Sequence, residues 1–312
     1  MRCYALGQAL ERVHIDPVFV CDIGAIPWVG KLLGRFANVT PESADWNMFD
    51  AVVIDSYTVS LEQVQVCRER NLPVTVIADD ATGRLPADLY IEAGVNLTWN
   101  PPEGFAEVPR LAGPSAVLLR EEILRLPVLT AVPKEAQDRV RLLVALGGVD
   151  RPQYLQSILE AFSKVGMACD VRIVGTPLDQ APAPRNYTVE WRALGSDFVN
   201  LLASSDIVVC SAGVTCWETL SRGVPLGIIR TADNQEPNYS FLSGEAICVP
   251  LGRLDIGDEV NDELLADLLS NEDLRQQLGI RAQRLVDSGG ADRAAKAIVE
   301  QLVRARSNRG VR

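Results

Sequence analysis

Histidine is almost missing from this sequence: His14 is the single one in 312 residues. It sits between a helical pattern and the run PVFVC, where it reads as a turn residue and not as a catalyst. No two cysteines have C-x-x-C spacing. The seven, Cys3, Cys21, Cys67, Cys169, Cys210, Cys216 and Cys248, are scattered, which argues against a zinc site and for reduced, buried thiols. No apolar run approaches the ~20 residues that span a bilayer, and the N-terminus lacks the zones of a signal peptide, so a cytoplasmic protein is expected. Positive charge is short, with 30 Lys and Arg against 41 Asp and Glu. The net charge of −11 would repel nucleic acid. A basic end, RARSNRGVR, reads as a solvated or disordered terminus. No G-x-G-x-x-G or P-loop is present, and no motif calls for a metal or another cofactor.

What the sequence does have is alternation. PVFVC, AVVID and PVTVIA, then VRLLVALG, DIVVC, DVRIVG and PLGIIR, are short apolar runs bounded by Gly, Pro, Asp or Asn, with helical patterns between them. Strands buried on both faces of a parallel sheet have this form. The length favours two domains, and LPVLTAVPKEAQDR, with Pro127 and Pro133, reads as the hinge. The expected fold is α/β, two Rossmann-like doubly wound domains, 1–133 and 134–312, facing a cleft where ligand binds. After Pro250 the pattern is purely helical, and the last helix could cross back to the first domain.

The residues after the strands are the ones to read for chemistry. In CSAGVTCWETLSRGVP a strand ends at Cys210, Ser211 to Gly213 turn, and a helix starts near Val214. Such a start favours an anion, and a diphosphate would suit it. Glu218, one turn on, could accept bonds from ribose hydroxyls. Thr215 and Glu218 also spell T-x-x-E, a capping box. In ALGGVDRP, Gly147 and Gly148 permit close approach to a ligand and Asp150 could cap the next helix; a plain turn reads equally well. TADNQEPN puts Asn234, Gln235 and Glu236 at another helix start, suited to sugar hydroxyls or to capping. Asp55, Ser56 and Tyr57, like Asp79 and Asp80, follow strands in the first half and are candidates for acid–base work or for ordinary turns.

In their order along the chain, RCYALGQAL, VIDSY, DDATGR, GPSAVLLREEI, LGGVD, SAGVTCWETLSRGVP and DNQEPN resemble the UDP-sugar hydrolases of the pseudaminic acid pathway and the related spore-coat polysaccharide proteins. That family belongs to the GT-B superfamily. The resemblance implies a UDP-sugar as substrate. It makes Glu218 the ribose-binding acid, Gly213, Val214 and Thr215 the diphosphate-binding helix start, and Gly147, Gly148 and Asp150 the glycine turn. Asn234 and Gln235 become the sugar-contacting pair, with Arg2 and Asp55 also on the sugar side and Tyr57 near the reaction centre. ALGSDF, with Leu194, falls where related enzymes hold uracil.

The resemblance also bears on the opening MRCYALGQAL, which starts one residue into a helix. In the family a first strand and a G-H-x-x-R loop come before it, and Arg2 matches that arginine. The histidine, the family's proposed general base, would lie upstream of Met1. A late start and a short, catalytically altered form both account for this. The expected function is hydrolysis of a UDP-linked amino or deoxy sugar by a monomer in surface-polysaccharide or nonulosonic-acid biosynthesis. The alternatives are a GT-B glycosyltransferase using the same donor, or a catalytically impaired nucleotide-sugar-binding protein.

Overall fold

Most of the apolar runs become parallel strands, since a strand covered on both faces needs no polar alternation. The computed structural model describes residues 1–22, 26–78, 85–95, 102–129, 139–148, 151–184, 186–195 and 197–309. The chain forms two compact units, Met1–Glu121 with Ser288–Arg312, and Glu122–Asp287.

The first unit opens with α1 (Arg2–Arg12), β1 (Val18–Val20), α2 (Pro27–Leu33) and β2 (Ala37–Val39), and β1 and β2 pair in parallel. His14 takes a φ of 60° in the turn after α1. β3 (Val52–Ile54), α3 (Leu61–Glu69), β4 (Val74–Ile77), β5 (Leu89–Ala93) and β6 (Arg110–Gly113) follow, and these four strands form a separate parallel sheet in the order β3-β4-β5-β6. A capping box starts α3: Ser60 Oγ accepts the Gln63 N–H at 3.3 Å, and Gln63 Oε1 accepts the Ser60 N–H at 2.8 Å. Helix α1 is buried from Tyr4 to Leu10 because it has two partners. Ala5, Leu6, Ala9 and Leu10 join Ile77, Leu89 and Ile91 of the four-stranded sheet. Tyr4 packs edge-on against Phe36, beside Phe19 of β1.

From α4 (Glu121–Leu124) the chain enters the second unit: β7 (Val140–Ala145), α5 (Pro152–Val165), β8 (Cys169–Val174), β9 (Thr188–Arg192), α6 (Phe198–Ala203), β10 (Ile207–Ser211), α7 (Val214–Ser221), β11 (Leu226–Arg230), α8 (Glu236–Gly244), β12 (Val249–Arg253), α9 (Asp262–Ser270) and α10 (Glu272–Leu285). The strands form one parallel sheet in the order β12-β11-β10-β7-β8-β9. Helix α5 shows why the core lies where it does. Leu155, Ile158, Leu159 and Phe162 recur at helical spacing on one face and pack with Leu142, Val144, Val171 and Ile173 of the sheet. Gly166, at a φ of 66°, ends the helix.

The units divide after Glu121, not at the expected 133/134. Arg222 is the reason: its guanidinium donates to the carbonyls of Leu124 (3.3 Å) and Leu126 (3.0 Å), and its own carbonyl accepts the Leu129 N–H at 2.7 Å. These bonds tie the start of the expected hinge to the second unit; residues 130–138, Pro133 among them, lie outside the described residues. The stretch after Pro250 is not wholly helical, because β12 spans Val249–Arg253 at the sheet edge. The last helix, α11 (Gly290–Arg309), joins the first unit, where Ala291, Ala294, Ala295, Ile298 and Leu302 pack with the α1 residues. Among the described residues no helix is long and apolar enough to cross a membrane.

Candidate functional site

Parallel strands place every loop that follows a strand on one edge of the sheet, and ligands collect where the chain order reverses. In the second unit that point lies between β7 and β10. From β7 the chain winds outward through β8 to β9, then returns to β10 on the other side of β7. Ala145 and Cys210 are register partners, so the turns that follow them leave side by side. A Cβ placed on Gly147 would lie 3.8 Å from Ser211 Oγ, and one on Gly213 would lie 3.7 Å from the same atom. The structure thus brings two of the candidate turns together. Gly147 has a φ of 108°, which a side chain would strain. Gly148 follows it at the surface, and Asp150 lies outside the described residues.

Helix α7 begins at Val214 with Gly213 at the N-cap, and no side chain caps it. The capping-box alternative for Thr215 and Glu218 therefore does not form, since it needs Thr215 at the cap and Thr215 is the second helical residue. The Val214 and Thr215 N–H groups belong to the first turn, which has no intrahelical acceptors. Glu218, 3% exposed, lies one turn below them.

The loop after β11 is built on charge. Arg230, at the strand end, donates to Asp255 (2.7–3.0 Å), to Asp233 (3.0 Å) and to Glu236. Arg253, at the end of β12, grips Glu236 at 3.0 and 3.1 Å and lies over the Tyr239 ring at 4.5 Å. The bonds from Arg253, Ser240 and Arg230 hold the Glu236 carboxyl down from 4.5 to about 2. Glu236 is thus an anchor. Gln235 Oε1 accepts from the Thr231 N–H (2.9 Å) and hydroxyl (3.3 Å), which closes the loop. Asn234 is exposed, and neither it nor Asp233 caps α8, whose N-cap is Gln235.

Three residues that the sequence reading did not single out join these loops. Asn238 donates to the Ala212 carbonyl at 3.1 Å, tying α8 to the turn before α7. Arg151 donates to the Thr231 carbonyl at 3.2 Å, tying the end of the glycine turn to the loop after β11. Arg230 reads in sequence as a charge closing an apolar run, and its main partner is 25 residues away. Leu194, half-buried, follows β9 on the same edge of the sheet. At strand spacing, β9 itself runs about 10 Å from β7 and about 14 Å from β10.

In the first unit, Arg2 and Asp55 come together. Arg2 reaches Asp55 through Nη2 (2.5 Å) and Nε (3.3 Å), and the Cys3 thiol donates to Asp55 at 3.4 Å. Burial and then Asp55 push that thiol up, so it keeps its proton. Tyr57, two residues on, is 59% exposed. Asp79 and Asp80 lie outside the described residues. Burial also pushes the Cys210 and Cys216 thiols well up, which makes them core residues and poor nucleophiles.

The sequence matches no family model. The spore coat polysaccharide biosynthesis protein SpsG of Bacillus subtilis is 25% identical over 181 residues, covering 53% of this chain and 51% of SpsG. The chain thus spans about half the length of that curated relative. Among solved structures, MurG of Acinetobacter baumannii is similar at a TM-score of 0.63 and 14% identity, covering 96% of this chain and 95% of MurG. MnaA of S. aureus, solved with UDP, is similar at a TM-score of 0.58 and 13% identity, covering 94% and 91%. Two Rossmann-like units of parallel strands, with glycosyltransferase structures similar over nearly their whole length, make this a GT-B glycosyltransferase-like fold.

Proposed function

We propose that the chain is an enzyme of polysaccharide biosynthesis that transfers a UDP-linked sugar to an acceptor hydroxyl. The observation that carries this is the meeting of the Gly147 turn and the α7 start at the point where the second sheet reverses, with Glu218 one turn below. The diphosphate sits on the Val214 and Thr215 N–H groups, Glu218 accepts from the ribose hydroxyls, and the loop at Leu194 holds the base. The acceptor oxygen attacks the anomeric carbon, the bond from that carbon to the diphosphate oxygen breaks, and the acceptor proton passes to a base. UDP leaves with its new charge against the helix start. With water as acceptor the same steps give hydrolysis; the order of motif blocks, which resembles that of the UDP-sugar hydrolases, favours this second reading. The roles of Arg2 and Asp55 on the sugar side, and of Tyr57 near the reaction centre, rest on the resemblance.

Incubation with a panel of UDP-linked sugars and acceptors, followed by product analysis, tests both readings. A glycosylated acceptor supports transfer and free sugar supports hydrolysis. UDP release from no donor sinks both. Glu218→Gln is expected to weaken UDP binding by about 1.5–3 kcal/mol, the range for hydrogen bonds to a charged group, with the melting temperature held. Unchanged UDP affinity by calorimetry would remove Glu218 from the site.

A further inference from the structure

The edge of a sheet carries backbone groups that can pair with another chain, and folded proteins cover or block such edges. The six-stranded sheet treats its two edges differently. At β12, Pro250 removes a donor, the register to β11 shifts between Ile228 and Ile229, and the segment before α9 closes the side. There the Leu251 carbonyl accepts the Asn261 N–H at 2.8 Å, and the Arg253 N–H donates to Asp258 at 2.9 Å. At the other edge, β9 has none of these devices among the described residues. It contains no proline, and its register to β8 runs unbroken from Thr188 to Arg192.

Which groups β9 presents follows from one bond. Gly175 donates to the Arg192 carbonyl at 2.9 Å, so Arg192 turns its backbone groups toward β8. The direction alternates along a strand, so Thr188 and Glu190 also face β8, while Val189 and Trp191 face outward. Among the described residues neither Val189 nor Trp191 has a backbone partner on that side.

A second copy of the same strand fits this edge, and the charges favour one register. Two β9 strands running antiparallel about a twofold axis at Trp191 set Trp191 opposite itself as a hydrogen-bonded pair. Glu190 of each copy then falls opposite Arg192 of the other. These two side chains are 53% and 47% exposed and lie 2.6 Å apart on one face, so the four charges alternate in sign across the axis. Sliding the register by two residues sets either Glu190 against Glu190 or Arg192 against Arg192, and like charges directly opposite are unfavourable. On the other face Val189 and Trp191 pack against the core of the second unit, so the pairing extends an apolar layer.

We propose that β9 is a homodimer interface, in which two copies of the chain pair antiparallel about Trp191 and join their six-stranded sheets into one. The proposal is independent of the nucleotide reading. One short strand buries less than the ~1,600 Å² of a standard interface, so the dimer is weak, with a dissociation constant in the micromolar range or above.

Sedimentation equilibrium of the full chain is expected to show a dimer that dissociates on dilution. Glu190→Arg opposes two arginine pairs across the axis, and Arg192→Glu opposes two glutamate pairs. Each should raise the dissociation constant at least about 10-fold, because like charges facing each other in an interface are costly. The melting temperature of the monomer should hold, since an exposed ion pair adds little to the fold. Mixing the two variants in equal amounts, or combining both changes in one chain, opposes unlike charges again and should restore the dimer. A chain that stays monomeric up to about 1 mM overturns the proposal. So does a dimer that either single variant leaves intact, or one that neither the mixture nor the double variant recovers.

Discussion

Arg230→Met is expected to destabilise the second unit by about 3–5 kcal/mol, the cost of removing one partner of a buried ion pair. The Arg230 side chain is 9% exposed and Asp255 is 11% exposed, so the variant strands the Asp255 carboxylate in the interior. Asp233, 96% exposed, contributes little to this cost. Glu236 keeps Arg253. The denaturant midpoint of the second unit checks the size of the effect, and adding Asp255→Asn should recover part of it. A shift below 1 kcal/mol would show that the pair does not hold the loop after β11. Acid tests the same network. The folded Glu236 carboxyl lies near 2, below its unfolded 4.5, so its contribution is complete above about pH 4.5 and is lost as the pH falls toward 2. Glu236→Gln should flatten the stability profile across that window.

Gly290→Ala is expected to undock the last helix. A Cβ there would lie 2.2 Å from the Val117 carbonyl oxygen and 2.8 Å from the Val117 nitrogen. Both are backbone atoms, which cannot swing aside as the end of a side chain can. Overpacking costs about 1–3 kcal/mol and occasionally more, and backbone contacts put this site at the upper end. The first turn of α11 is also pinned by Arg293, which donates to the Ser115 carbonyl at 2.5 and 3.0 Å. The expected result is a lower melting temperature with faster proteolysis within 288–312. Gly244→Ala, where a Cβ meets nothing within 4 Å, is the control and should do neither. Equal behaviour of the two variants would mean that α11 does not need its close approach to Val117.

By itself the sequence determined the type of fold and the places where chemistry could sit. PVTVIA, VRLLVALG, DIVVC and PLGIIR are continuous apolar runs, and a strand buried on both faces announces itself locally. The glycine turn at Gly147 and the helix start at Val214 were legible for the same reason, since turn and start signals are carried within a few residues. The edge strands were less so. TVEWR alternates between half-buried and exposed positions, and VPLGR opens with a proline-bearing edge. Only the tertiary structure decided which turns meet. Strand order is set by packing of the whole sheet, and β10 beside β7 is what points Gly147 and Gly213 at one serine hydroxyl. It also decided that Thr215 is not a cap, that Arg230 reaches Asp255, and that α11 packs on α1 from the far end of the chain. Each of these is a contact between residues whose local patterns are complete without it, so no local signal records the partner.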